Sequence, residues 1–338
     1  MQLSFSHAEL TDDHEGLEPH VIAGQRLHGG FASGEYVPPR SRTRVVALDA
    51  WTQALRQRGG DLFAADSSLL SGPQMPNARQ HALLIERGVT QTFWDSLTTT
   101  GKLEARGRVL AEAEFPDLAE LVVEDISEMA IGHLAGGLLW AHGIDEGGQP
   151  EQGIGGHDVM WFAARDLVFD PGAHADVEPP ENIARPEADK RWLPELPARF
   201  EGMLSLLMNL LIIEFRAEIF FANAQATLLN PALFRDRRDA AERAAEIIER
   251  IRIDEKIHVD SLRLYLGELC EVTLRTEAGG TIAGRELVMR FWDGLVAWAV
   301  HEQPRLAAQE RFKAIQQVIN ASGDAALLDD FLAIADDF

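Results

Sequence analysis

Two long helical runs constrain the fold of this chain more than any other feature. The first covers about 198–229 (ARFEGMLSLLMNLLIIEFRAEIFFANAQATLL) and stops at Asn230-Pro231, where a helix does not readily continue. The second covers about 236–269, with Ala244, Ile247, Ile248, Ile251, Leu262 and Leu266 recurring at helical spacing. The first run is apolar nearly all round, which places it at the centre of an assembly of helices. Helices this long pack antiparallel and bury a stripe each, so the expected fold is mainly α, a helical bundle.

The flanking sequence sets the expected boundaries. Residues 1–115 carry Gly29-Gly30, Pro38-Pro39, Gly59-Gly60, Gly72-Pro73 and Pro76-Asn77, and read as an irregular N-terminal region with short helices at 47–58 and 79–98 and a brief strand-like run at 43–48. Pro116-Asp117 with Glu120 looks like a capping-box start, so a helix is predicted over 117–143. Residues 143–197 are rich in Gly and Pro and read as a loop or lid with one short helix at 157–169. After a Gly-rich turn come helices at 285–303 and 305–320, which close a bundle spanning 116–320. Residues 321–338 form an acidic tail.

Charge narrows the function. The 338 residues hold 31 Lys and Arg against 54 Asp and Glu, a formal charge of −23. Such a surface disfavours nucleic acid, whose phosphates need basic partners, and docking on anionic lipid. Cys270 is the single cysteine, so no intrachain disulfide forms. The first residues (MQLSFSHAELTDDHEG) lack the pattern of a secretory signal, and the longest apolar stretch, 203–215, is short of a membrane span. The expectation is a cytoplasmic protein, with a homodimer among the assemblies to be expected.

The informative acids are those that interrupt apolar stripes, because a buried carboxylate without a partner is costly. Glu214 and Glu218 stand four apart, about 40° apart on the helix, among Leu211, Ile213, Phe215 and Ile219. They need a cation, or an arginine such as Arg216. Glu255 and His258 stand three apart in IDEKIHVDSL, beside Ile251, Val259 and Leu262, so one helix can offer an oxygen and an imidazole to one metal. A hydrogen-bonded Glu–His pair would look the same. In the predicted helix 117–143, Glu124 and Glu128 share a face, while His133 lies on the apolar side with Ile126, Met129 and Trp140.

This arrangement resembles the ferritin-like superfamily of di-iron carboxylate proteins over about 117–303, through Glu124/Glu128, Glu214/Glu218 and Glu255-x-x-His258. That superfamily places Glu-x-x-His on two helices and a single Glu on two others. Here one Glu-x-x-His is present, and His133, His142 or His157 would have to supply the second imidazole. The resemblance implies iron, two ions per chain, with manganese as the substitute. It also implies an oxidoreductase that uses dioxygen on a small, apolar organic substrate in a pocket that Phe220, Phe221, Trp161 and Trp298 could line. Tyr265, seven residues after His258, is a candidate redox tyrosine or a packed core residue. Two other readings compete. His133, His157-Asp158 and Asp254 resemble loosely the order of all-helical HD-type metal phosphohydrolases. Alternatively the buried acids pair with Arg216, Arg250 or Arg252 in a non-catalytic scaffold with a degenerate metal site.

Overall fold

The computed structural model, which describes residues 2–70, 72, 75–181, 183–186 and 191–335, is mainly α. In chain order the elements are α1 (His7–Thr11), β1 (Glu18–Ile22), β2 (Gln25–Ala32), β3 (Glu35–Val37), α2 (Ser41–Gln57), α3 (Ala78–Glu86), α4 (Gln91–Gly107), α5 (Val109–Glu112), α6 (Leu139–Gly147), β4 (Ile154–Gly155), α7 (His157–Val168), α8 (Ala198–Leu229), α9 (Arg238–Cys270), β5 (Thr273–Arg275), β6 (Thr281–Ala283), α10 (Gly284–Ala297), α11 (Gln303–Ser322) and α12 (Leu327–Ala335). None of the described helices is long and apolar enough to cross a membrane.

The two long helices form the spine. They run antiparallel: Gln225 on α8 donates to Glu249 and to the Ala245 carbonyl on α9, and Arg252 donates back to Gln225. α8 buries Leu204, Leu207, Leu211 and Phe215, and α9 buries Ala244, Ile247, Ile248 and Ile251. α4 and α7 pack together beside them, with Phe93, Trp94, Leu97, Met160, Trp161, Phe221 and Ile248 in a shared core. Truncating one such leucine or isoleucine to alanine would cost about 2–5 kcal/mol.

Several expected elements differ. The helix predicted over 117–143 does not form. Asp117 does cap Ala119, but only a short 3-10 turn follows, at Leu118–Glu120. The β-branched pair Val122-Val123 is then drawn off as extended chain along β5: the Val123 N–H donates to Thr273 and the Arg275 N–H to Leu121. The continuous helix starts only at Leu139 and runs past Gly143 to Gly147. The strand-like 43–48 run lies inside α2, and the 79–98 helix is split at Gly88, which adopts φ 78°. Residues 18–37 fold into a β-meander that the sequence reading left irregular.

Two local features position the site. β4 pairs in parallel with β2, Leu27 opposite Gly155, which brings β2 beside the first turn of α7. α6 lies so close to its neighbours that a Cβ on Gly143 would sit 2.5 Å from the Ala111 nitrogen, and one on Gly107 would sit 2.5 Å from Glu146 Cγ. Residues 182 and 187–190 of the expected lid and 336–338 of the acidic tail lie outside the described residues.

Candidate metal centre

Five helices converge on one water-poor point. α4 brings Glu104; α6 brings His142, Asp145 and Glu146; α7 brings His157 at its first position; α8 brings Glu214; α9 brings Asp254, Glu255 and His258. Their ligand atoms, with those of His28 on β2, form three overlapping groups, His142–Glu146–Glu214–His258, Glu146–His157–Glu255–His258 and His28–His157–Asp254, in each of which all atoms lie within 4.8 Å. This buried cluster could hold a metal ion.

Two carboxylates occupy the middle. Glu255 turns Oε1 to His157 Nδ1 at 3.0 Å and Oε2 to His258 Nδ1 at 2.9 Å. Glu146 turns Oε1 to His258 Nδ1 at 3.0 Å and Oε2 to His157 Nδ1 at 3.5 Å. At the ends stand Glu104, 3.6 Å from His157 Nδ1, and Glu214, 3.1 Å from His142 Nε2.

Each of the two inner histidines is oriented from behind by a second carboxylate. His258 Nε2 meets Asp145 at 3.1 Å, and Asp145 is gripped by Arg40 and by Arg44 at 2.6 Å. His157 Nε2 meets Asp254 at 3.3 Å, and Asp254 accepts from the Tyr36 hydroxyl at 2.9 Å with His28 3.2 Å away. A carboxylate on the far nitrogen fixes ring orientation and leaves the near nitrogen for a metal, as in many metal sites. Adjacent Asp and Glu residues divide this work twice, at Asp145-Glu146 and at Asp254-Glu255.

The donor set fits a cation. His142 Nε2 and His157 Nδ1 are buried and close to carboxylate oxygens, yet neither makes a hydrogen bond of acceptable geometry. Six carboxylates shut away from water face only two buried guanidinium groups, leaving four negative charges uncompensated. The titration behaviour follows. Burial, with Glu146 next, pushes Glu104 well up, and burial with Glu255 does the same to Glu214. Burial opposes charge on His157 and His258, but Glu255 and its neighbours outweigh it and raise both well above the ordinary histidine range. Burial also opposes charge on Asp145, where Arg44 and Arg40 prevail and hold the carboxyl well down. His142, stacked on His258 at 3.8 Å, is pushed down by burial and by that neighbour.

Of the residues expected from sequence, the structure brings together Glu214, Glu255 and His258, with His142 and His157 as imidazole sources. Four others lie elsewhere, which corrects the sequence reading. Glu124 and Glu128 are exposed in the stretch that failed to form a helix, and Glu124 accepts from the Thr273 N–H. His133 is tied at both nitrogens: Nδ1 bonds the Met129 carbonyl at 2.8 Å and Nε2 accepts from the Phe5 N–H at 3.1 Å, so no lone pair is free. Glu218 is exposed, one turn beyond Glu214. His301 and Glu302 are also exposed, and Tyr265 is buried in the core, its hydroxyl raised to about 12 by burial. Arg216 does not pair with Glu214; it donates to the Ile183 carbonyl and stacks on Trp298. Of the His133, His157-Asp158 and Asp254 set, only His157 and Asp254 meet, while Asp158 accepts from the Val159 N–H.

Sequence reasoning missed Glu104, Glu146, Asp145 and His28 as site residues. Glu146 lay beyond the expected helix end, and Glu104 lay in a region read as irregular. A signal was available: Ile-Asp-Glu occurs at 144–146 and again at 253–255. No protein-family model matches the chain, and no curated protein or solved structure matches it.

Proposed function

We propose that the chain is a di-metal oxidoreductase of the ferritin-like kind, with two iron ions held between α4, α6, α7, α8 and α9. The observation that carries this reading is the placement of Glu146 and Glu255. Each points its two oxygens at different ligand groups, as carboxylates that bridge two ions do. Glu104 with His157 would complete one ion's shell, and Glu214 with His258 and His142 the other. The order along the chain supports the same reading: a single Glu on α4, Glu146 followed by His157, a single Glu on α8, then Glu255-x-x-His258. The departure from the superfamily pattern is that His157 comes from a separate helix, eleven residues after Glu146. Mixed carboxylate and imidazole donors suit iron, with manganese as the substitute.

Iron bound here would supply activation of dioxygen for oxidation of a small organic molecule. The chain's own residues do the rest. Asp145 and Asp254 hold the two inner imidazoles, Arg40 and Arg44 keep Asp145 ionised, and the packed helices leave the cluster side chains little exposed. On this reading the partners are dioxygen and the organic substrate, and the surface acidity leaves nucleic acid aside.

Metal analysis of protein purified after iron-replete expression tests the proposal. Two ions per chain are expected, with Glu146→Gln and Glu255→Gln folded but depleted, and oxygen uptake by the ferrous-loaded protein that both variants lose. Metal-free protein whose stability is indifferent to chelators would sink it. A single ion retained equally by both variants would sink it as well.

A further inference from the structure

A cavity of about 1060 Å³ lies between α8, α9 and a wall that includes Ala65, Asp66, Leu70 and Asn77, and both Glu214 and Glu255 line it. It is at the upper end of the size range of small-molecule sites, about 1,000 Å³, and reaches the cluster through Glu214 and Glu255. Its apolar walls include Leu70, Phe215, Ile219 and Phe221. Of the aromatic residues expected to line a pocket, only Phe221 does; Trp161 and Phe220 pack against one another, and Trp298 carries Arg216.

The charges on the lining decide what the cavity can take. Its three cations are already matched: Arg252 pairs with Glu249 at 3.0 Å, Lys256 with Asp260 at 2.5 Å, and Arg263 lies 3.9 Å from Asp260 while donating to the Phe63 carbonyl. Asp66 accepts from the Ser68 N–H. Glu218 alone among these charged groups has neither ion pair nor hydrogen bond among the described residues. It stands one helical turn, about 6 Å, outward from Glu214. A chain of net charge −23 also draws cations towards its surface.

We propose that this cavity is the substrate site and that it takes an organic amine, with the protonated amino group on Glu218 and an alkyl or aryl body against the apolar walls. The assignment as substrate site rests on the metal-centre reading above; the amine selectivity rests on the cavity itself.

Calorimetric titration of the metal-loaded protein under anaerobic conditions with hexylamine, hexanol and hexanoate tests it. Hexylamine is expected to bind at least tenfold more tightly than hexanol, and hexanoate most weakly. Glu218 is exposed, so Glu218→Gln leaves the fold intact; it is expected to remove the tenfold preference while hexanol affinity and metal content stay unchanged. Equal binding of the three compounds overturns the proposal. So do tighter binding of hexanoate, a preference that survives Glu218→Gln, and loss of metal in that variant. Metal content measured on the same samples separates the two readings. An amine preference in protein that retains no metal keeps the amine pocket and removes its catalytic role. Metal retained with no amine preference removes the pocket assignment alone.

Discussion

Binding of two divalent ions to the metal-free protein should release about four protons per chain near pH 7. Six carboxylates and two guanidinium groups leave the cluster four charges short of neutrality, and a space with so little access to water does not sustain that imbalance. Without metal, protons must supply the balance. Four groups are pushed up to receive them: Glu104, Glu214, His157 and His258. Two divalent ions carry the same four charges, and liganding requires those groups to be deprotonated. Each ion then displaces about two protons, so its affinity should rise roughly 100-fold per pH unit, about 2.7 kcal/mol. Calorimetry at pH 7 in buffers of different ionisation enthalpy reads the proton count directly. Release of fewer than two protons per chain, or an uptake of protons, would refute the charge argument and with it the two-ion reading.

Three further outcomes follow from particular residues. Glu214→Gln should change stability in opposite directions with and without metal. In chelator Glu214 must take up on folding a proton that the unfolded chain releases near pH 4.5, a cost of about 1.4 kcal/mol per pH unit and so up to about 3 kcal/mol at pH 7; the amide removes that cost and raises the melting temperature. With metal present it deletes a ligand and lowers the melting temperature; the same sign in both conditions would contradict the site. Asp145→Asn should weaken metal binding about 10–100-fold by freeing His258, and leave Arg40 and Arg44 buried without their carboxylate at a cost of about 3–5 kcal/mol in the unfolding free energy from urea titration. Glu268, raised to about 7 by burial, binds its proton more tightly folded than unfolded. Its contribution is therefore full below about pH 4.5 and lost as pH rises through 7, roughly 3 kcal/mol in all. Glu268→Gln, which can still accept from the Ile131 N–H, should match wild type at pH 5 and exceed it at pH 8.

The long helices were legible because burial left a period-3.6 pattern with few exceptions, and Glu214, Glu255 and His258 were legible as those exceptions. What failed was the stretch 117–143. Its capping signal is real, but the helix competes with pairing of Val122-Val123 along β5, a contact made across some 150 residues of sequence that no local window contains. Losing that register misplaced both acids and hid Glu146, which lies three residues past the expected helix end. The N-terminal contributions were hidden for a similar reason. Arg40, Arg44, His28 and Tyr36 reach the cluster only because β2 pairs with β4 and α2 packs on α9.

The doubled Ile-Asp-Glu, at 144–146 and 253–255, sends acids to the cluster from two faces of one helix at once. Neighbouring residues on a helix project about 100° apart, so an adjacent acid looks like a solvated bystander when its partner lies on the buried stripe. A histidine that gives Nδ1 to a metal carries Nε2 on the opposite side of the ring, however, and in a dry interior that nitrogen needs its own acceptor. The acceptor must come from a different direction than the carboxylate that faces Nδ1, and residue i−1 on a facing helix has that direction. Asp145 therefore serves His258 on α9 while Glu146 serves the centre, and Asp254 serves His157 on α7 while Glu255 does the same. A pair of acids in which both are buried is thus a stronger sign of a histidine–carboxylate metal centre than either acid alone.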